Sequence, residues 1–308
     1  MRSAFARTLV SLAEQDPNLF LITGDLGFGV LNDFQKRFPD RFINAGVAEQ
    51  NMTGLAAGMA FEGKTVFTYS IGNFSTLRCL EQIRNDAAYH NLNVNIVCIG
   101  GGYTYGSLGF SHHATEDLAI LRALPHIAVI SPGDPQEAEW ATRALHRTPG
   151  TGYLRLGRGG EPNIHASPLA LELGRAIGIR ETGEIAMLAT GAILQNAVEA
   201  CDILSRNGLV SALYSVPTLH PLDEALIERL GAQCSAIITV EEHSIRGGLG
   251  TAVAEVLAEL RGVRARLIRL GLDTDRPTTT GDQAYLRQLQ GLAPEQIAET
   301  VLARCRRS

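Results

Sequence analysis

The chain has 308 residues, 45% of them hydrophobic and 19% charged, with a net charge of −5. That length suits two domains with a core in each, and the absence of any basic run beyond Arg304, Arg306 and Arg307 argues against a nucleic-acid partner. No apolar stretch approaches bilayer length, residues 1–6 lack the core of a signal peptide, and five scattered cysteines form no Cys-x-x-Cys pair, so a cytoplasmic protein without a zinc site is expected.

Residues 3–14 carry apolar positions at helical spacing. A short buried strand at 19–22 ends in Gly24-Asp25, and a strand-like run at 41–44 precedes an Ala- and Gly-rich helix that opens near Glu49. A strand at 65–69 leads to a helix expected over 75–89, and a strand at 93–99 ends in Gly100, Gly101 and Gly102. A helix at 118–124, a strand at 126–130, a helix at 134–146 and a strand at 153–156 complete a first unit. Residues 157–173 are rich in Gly, Pro, Asn, His and Ser without periodicity, as a connection between domains would be. A second unit has strands at 185–189, 210–214, 236–240 and 265–270, with helices near 194–206, 223–230 and 248–261. Continuous apolar strands with helical crossovers predict two α/β domains, each a mostly parallel sheet flanked by helices. The expected division is a first domain at 1–165, a linker at 166–175 and a second domain at 176–308.

Open parallel sheets bind ligands beyond the carboxyl ends of their strands, where Asp25, Ile71 and the three glycines all fall. Glu49 is the one acid in a small, apolar stretch, Ala-Gly-Val-Ala-Glu-Gln-Asn-Met-Thr-Gly at 45–54. A carboxylate at a buried helix start is costly unless it is neutral or specifically paired, which points to an acid whose proton is in use. Phe74 follows Tyr69-Ser70-Ile71-Gly72-Asn73, and the pair His112-His113 follows Gly109-Phe110-Ser111. With no acid or Cys at ligand spacing, that pair is not expected to bind metal. Arg158 lies in Leu154-Arg155-Leu156-Gly157-Arg158-Gly159, and guanidinium forks suit phosphate oxygens.

Segment 45–54 closely resembles the helix start of thiamine-diphosphate (ThDP) enzymes of the transketolase type. From residue 1 to about 242 the chain resembles the C-terminal half of a transketolase, a pyrimidine-binding domain followed by the family's third domain. It is closest in style to the stand-alone C-terminal subunits of two-component transketolases, and similar to the matching region of 1-deoxyxylulose-5-phosphate synthase. The resemblance implies that Glu49 bonds N1′ of the cofactor's aminopyrimidine and activates thiazolium C2. It implies that Phe74 and Ile71 cover the pyrimidine ring, with Ile71 standing where an aromatic is usual, and that Asp25 lies near the thiazolium. His112 takes the place of a His that contacts the donor's oxygens, and His113 that of a Gln beside it. Arg158 matches a phosphate-binding Arg, and Arg2 lies where a second one is found, although a solvated terminal residue is the competing reading there. The activity implied is transfer of a two-carbon ketol unit from a ketose donor to an aldehyde-type acceptor.

The chain also departs from that pattern. The loop 100–108 has Gly where transketolases carry a second substrate His and Leu108 where they carry an Asp, and Gly29 replaces a phosphate-binding Ser. A bulkier or less hydroxylated acceptor is therefore expected. The family's diphosphate and metal motif, Gly-Asp-Gly followed later by Asn, is absent: neither Gly24-Asp25-Leu26 nor Gly281-Asp282-Gln283 fits it. Mg²⁺ on a diphosphate needs hard oxygen ligands in a prepared loop. A separate N-terminal subunit is expected to bring that half of the site and the Mg²⁺, in a heterotetramer. Two rival readings remain at this point, the β subunit of a 2-oxo acid dehydrogenase E1 and a non-catalytic scaffold subunit.

Overall fold

The computed structural model describes residues 1–166, 168–275 and 279–305, so Arg306 and Arg307 of the basic run lie outside the described residues. The first half contains α1 (Arg2–Gln15), β1 (Leu19–Thr23), α2 (Asn32–Arg37), β2 (Phe42–Asn44), α3 (Glu49–Phe61), β3 (Thr65–Ile71), α4 (Gly72–Ser75), α5 (Leu80–Gln82), β4 (Val94–Ile99), α6 (Asp117–Arg122), β5 (Ile127–Ile130), α7 (Pro135–Arg147) and β6 (Thr151–Leu156). The second half contains β7 (Ile177–Arg180), β8 (Ile185–Thr190), α8 (Leu194–Arg206), β9 (Ser211–Ser215), β10 (Thr218–His220), α9 (Glu224–Gln233), β11 (Ala236–Ser244), α10 (Leu249–Glu259), β12 (Arg266–Leu272), α11 (Gln283–Leu289) and α12 (Pro294–Cys305).

Two sheets result, a seven-stranded one in the order β10-β5-β6-β4-β3-β1-β2 and a five-stranded one in the order β12-β11-β8-β9-β7. Every pairing is parallel except those of β10 with β5 and of β7 with β9. Strands β4, β6 and β8 are buried at every position, because helices cover both faces of each sheet. Strand β10 belongs to the second half by sequence but extends the sheet of the first. Neither β7 nor β10 has enough apolar alternation to announce itself in sequence.

The connecting segment is fastened to α7. Asp134 caps that helix through the Glu137 amide, while its other oxygen accepts from the amides of Ile164 and His165 at 2.8 Å. Glu137 in turn binds the His165 ring at 2.6 Å and the Gly133 amide. This trio meets a metal-ligand spacing, but each carboxylate oxygen is already occupied by a donor of the chain.

The helix expected over 75–89 is broken into α4, a 3₁₀ turn (Leu77–Cys79), α5 and a π-helical turn (Ile83–Ala88). Its side chains compete for the carbonyls a continuous helix would need: Thr76 Oγ1 donates to Gly72 O at 2.7 Å, Ser75 Oγ to Ile71 O, and Cys79 Sγ to Phe74 O. Among the described residues, no helix is long and apolar enough to cross a membrane.

Candidate active site

Glu49 is the first residue of α3 and is 2% exposed. It sits against the turn after β1, where a Cβ on Gly24 would lie 3.3 Å from Glu49 Cγ and 3.6 Å from Ser70 Oγ. Glu49 has a charged partner, and it is one the sequence did not suggest. Arg78 Nη1, from the 3₁₀ turn, donates to Glu49 Oε2 at 2.7 Å. The same guanidinium lies over the Phe74 ring, 4.7 Å from its centre, a favourable cation–π geometry.

Phe74 in α4 and Ile71 at the end of β3 are both half-buried. The Phe74 ring meets that of His112 edge-on, with centroids 5.2 Å apart. His112 is held by Ser111 Oγ, 3.0 Å from its Nδ1, and its neighbours by Asn73, whose Nδ2 donates to the carbonyls of Ser111 and His113. Burial first, and then the adjacent His113, hold the His112 imidazole below its ordinary pKa of 6.5. The ring is neutral near pH 7 and able to take a proton.

Asp25 is exposed and adopts a left-handed backbone (φ 57°), a conformation that short acids tolerate. Asn44, at the end of β2, fixes it from both sides: its Oδ1 accepts from the Asp25 amide and its Nδ2 donates to Asp25 Oδ1, each at 3.0 Å. Asp25, Glu49, Ile71, Phe74 and His112 therefore gather at the carboxyl edge of β1, β3 and β4.

His113, unlike His112, is turned inward. It is 1% exposed, its Nε2 is 3.2 Å from Gly106 O, and the Tyr103 ring packs edge-on against it. Arg2 is half-buried rather than solvated, and its Nε is buried. Arg2 and the exposed Arg158 converge on Tyr105, which sequence reasoning missed. Burial pushes the Tyr105 hydroxyl up, and the charges of Arg2 and Arg158 pull it back. The Arg158 guanidinium lies 5.9 Å from the centre of the Tyr105 ring, which itself approaches His112. An aromatic set among glycines was the available signal for Tyr105.

The glycine loop has a physical reason. A Cβ on Gly100 would fall 2.3 Å from the Tyr105 ring, and one on Gly101 would fall 2.7 Å from Arg155 Nε. The space a larger side chain would need is already filled. Burial pushes the thiol of Cys79 up to about 11 and that of Cys98 to about 12, so neither is a nucleophile near neutral pH. A cleft of about 260 Å³ opens between the two halves, lined by Tyr103, His113, Glu116, Asp273 and Gln290 among others. Neither Glu49 nor Phe74 lines it.

Residues 1–160 match the transketolase pyrimidine-binding domain, and residues 174–297 match the transketolase C-terminal domain. The chain belongs to the transketolase family. It is similar to a transketolase C-terminal section of Methanocaldococcus jannaschii, at 38% identity over 98% of this chain and 95% of that protein. It is also similar to the second of the two subunits of the apulose-4-phosphate transketolase of Phocaeicola vulgatus, at 33% identity over 98% of this chain and 96% of that relative. Among solved structures it resembles a split-gene transketolase, an inactive β4 tetramer, with a TM-score of 0.88 and 32% identity. That likeness covers 98% of this chain and 96% of the other. Family membership makes the chain part of a ketol-transferring enzyme and implies ThDP as its cofactor.

Proposed function

We propose that this chain is the pyrimidine-domain subunit of a split transketolase, and that it supplies one half of a ThDP site completed by a separate N-terminal subunit. The observation that carries this reading is Glu49. It is a carboxyl buried at a helix start and paired with Arg78, whose guanidinium lies over the half-buried Phe74 ring that in turn meets His112. An aminopyrimidine fits there, with Glu49 as hydrogen-bond partner for a ring nitrogen and with Phe74 and Ile71 against its faces. When bound, ThDP supplies the nucleophilic carbon that takes up and releases the two-carbon unit.

This chain's own residues then have separable tasks. Glu49 exchanges a proton with the pyrimidine, Asp25 sets the charge near the thiazolium, and neutral His112 moves protons at the donor's oxygens. Arg158 and Arg2, with Tyr105 between them, anchor an anionic tail. The phosphate of the substrate named for the P. vulgatus relative accords with that anchor. The diphosphate and its Mg²⁺ fall to the partner subunit, because the chain has no Gly-Asp-Gly…Asn motif. The relatives that match end to end are themselves single halves, and the split-gene β4 tetramer is inactive, both in accord with a site built from two kinds of chain. A dimer of such heterodimers is the assembly proposed. Leu108 and Phe110, exposed at the tip of the glycine loop, would give the acceptor side an apolar rim.

Calorimetric titration of ThDP and Mg²⁺ tests the proposal, first on the chain alone and then on the chain with its co-purifying partner. Binding only in the mixture, with consumption of donor, is expected. Tight binding by the isolated chain, or none in either case, would overturn the shared site. Brisk turnover of xylulose 5-phosphate with ribose 5-phosphate would sink the idea of an unusual acceptor.

A further inference from the structure

Every candidate site residue comes from the first half of the chain, yet one buried carboxyl of the second half reaches the root of the loop that bears His112. The pleat of β11 sends consecutive side chains to opposite sides. Glu241 serves its own domain, accepting from the amides of Leu249 and Gly250 at the start of α10. Glu242, 3% exposed, turns the other way and accepts from the Tyr103 amide at 2.7 Å, from Gln283 Nε2 at 3.0 Å, and from Arg287 Nε at 2.9 Å and Nη2 at 2.5 Å.

We propose that Glu242 is a positioning residue for substrate handling, holding the loop 102–114, and with it His112, in register with the first domain. The loop is closed at its root by paired amides and carbonyls of Gly102 and Ala114. Gly102 has φ +63°, and a Cβ there would lie 2.7 Å from Glu242 Cδ, so the root rests directly on the carboxyl. The buried Arg155 bridges the other side, donating from Nη2 to Ala114 O and to Glu242 O. Inside the loop, the Tyr103 ring packs on His113, whose Nε2 meets Gly106 O. Gln290 donates to the Tyr103 hydroxyl, and Gln283 to Thr104 Oγ1. A fastening within the second domain needs only the Arg287–Glu242 pair. The Tyr103 amide and the Thr104 hydroxyl tie that pair to the loop. A displacement of the order of 1 Å at a reacting group costs roughly 10²-fold, which sets the scale of the effect.

This inference rests on the reading of His112 as donor-facing, and two separate measurements judge the two claims. Hydrogen exchange on the full chain reads the clasp without catalysis. In Glu242→Ala, amides 103–113 are expected to exchange at least ~10-fold faster while those of β4 do not change, since the lost charged acceptor releases the loop and its α11 partners but bonds no residue of β4. Kinetics of the assembled enzyme with xylulose 5-phosphate as donor reads the positioning. Donor kcat/KM is expected to fall about 10- to 100-fold, with half-saturating ThDP within about twofold of wild type. Glu242→Gln, which keeps an oxygen for the Tyr103 amide, should recover most of the loss. Unchanged exchange at 103–113 overturns the clasp. A loss of ThDP affinity in step with activity, or Glu242→Gln as impaired as Glu242→Ala, overturns the positioning role. If His112→Ala leaves donor kinetics intact, the reading of the site fails and the positioning role goes with it. Should Glu242→Ala not fold, Gln283→Ala removes the Thr104 tie together with one of the donors to Glu242, and is expected to give the same pattern at smaller amplitude; no change in either readout would refute the proposal.

Discussion

A single methyl group at position 101 tests how rigid the polar cluster beneath the loop is. The Cβ of Gly101→Ala would lie 2.7 Å from Arg155 Nε, 2.8 Å from Cζ and 2.9 Å from Cγ. Arg155 has nowhere to retreat. It is 5% exposed, its Nε donates to Asp117 Oδ2 at 2.8 Å, and its Nη2 is held by two carbonyls. Tyr153 donates to the same Asp117 oxygen, so a shift of the guanidinium disturbs a fully buried trio. Overpacking alone costs about 1–3 kcal/mol, and breaking a buried ion pair about 3–5 kcal/mol. Partial relief of the first at the expense of part of the second gives a loss near ~3 kcal/mol, or roughly 6–12 °C in Tm for a unit of this size. Differential scanning calorimetry measures it. The control is Gly54→Ala inside α3, where an added Cβ meets nothing within 4 Å and should stabilise by ~0.5–1 kcal/mol. If Gly101→Ala melts within 2 °C of wild type, as judged against the ~2–4 °C expected per kcal/mol, the cluster is compliant and the account of the glycine loop is wrong.

Three further outcomes are expected. Glu49→Gln should lower turnover of the assembled enzyme by ~10²- to 10⁴-fold, the usual range for a lost proton-transfer group, and full activity in a steady-state assay would return the scaffold reading. Arg158→Ala should raise KM for a phosphorylated donor by about 10-fold or more while leaving a non-phosphorylated donor unaffected, on the scale of a charged hydrogen bond; equal effects on both would exclude an anion anchor. His243 is fully buried with its pKa pushed down from 6.5 to about 4, chiefly by burial, so folding keeps the ring neutral. The folded chain binds fewer protons than the unfolded one between these values, so stability falls as pH drops from about 6.5 to about 4, by up to ~3 kcal/mol. Urea denaturation of His243→Phe across that range should remove part of the slope, and an identical slope would refute the assignment.

The α/β layering was legible because β4, β8 and the first half of β11 are nearly continuous apolar runs, the pattern of strands covered on both faces. Glu49 was legible for the opposite reason, as a lone acid where its neighbours are small and apolar. Arg78 was not, since 29 residues separate it from Glu49 and only the break after α4 turns it back toward the carboxyl. That break depends on Thr76, Ser75 and Cys79 outcompeting backbone amides for carbonyls, which helical periodicity does not register. The sequence set His113 beside His112 in the place of a Gln, but did not show that the turn leaves one ring half-buried against Phe74 and buries the other against Tyr103. The role of Glu242 was hidden by the 139 residues between it and Tyr103.

Strand β10 has a consequence for anyone who would divide this chain. It hydrogen-bonds to β5 from the far side of the connecting segment, so the edge of the first sheet is shielded by residues 218–220. A fragment ending near residue 165 would leave the outer edge of β5 with unpaired amides and carbonyls, a template for pairing with other chains. The second half, for its part, would carry a strand with no sheet to join. The exchange of β10 thus couples the two halves, and a cut through the connecting segment is expected to yield a first half with an unshielded sheet edge.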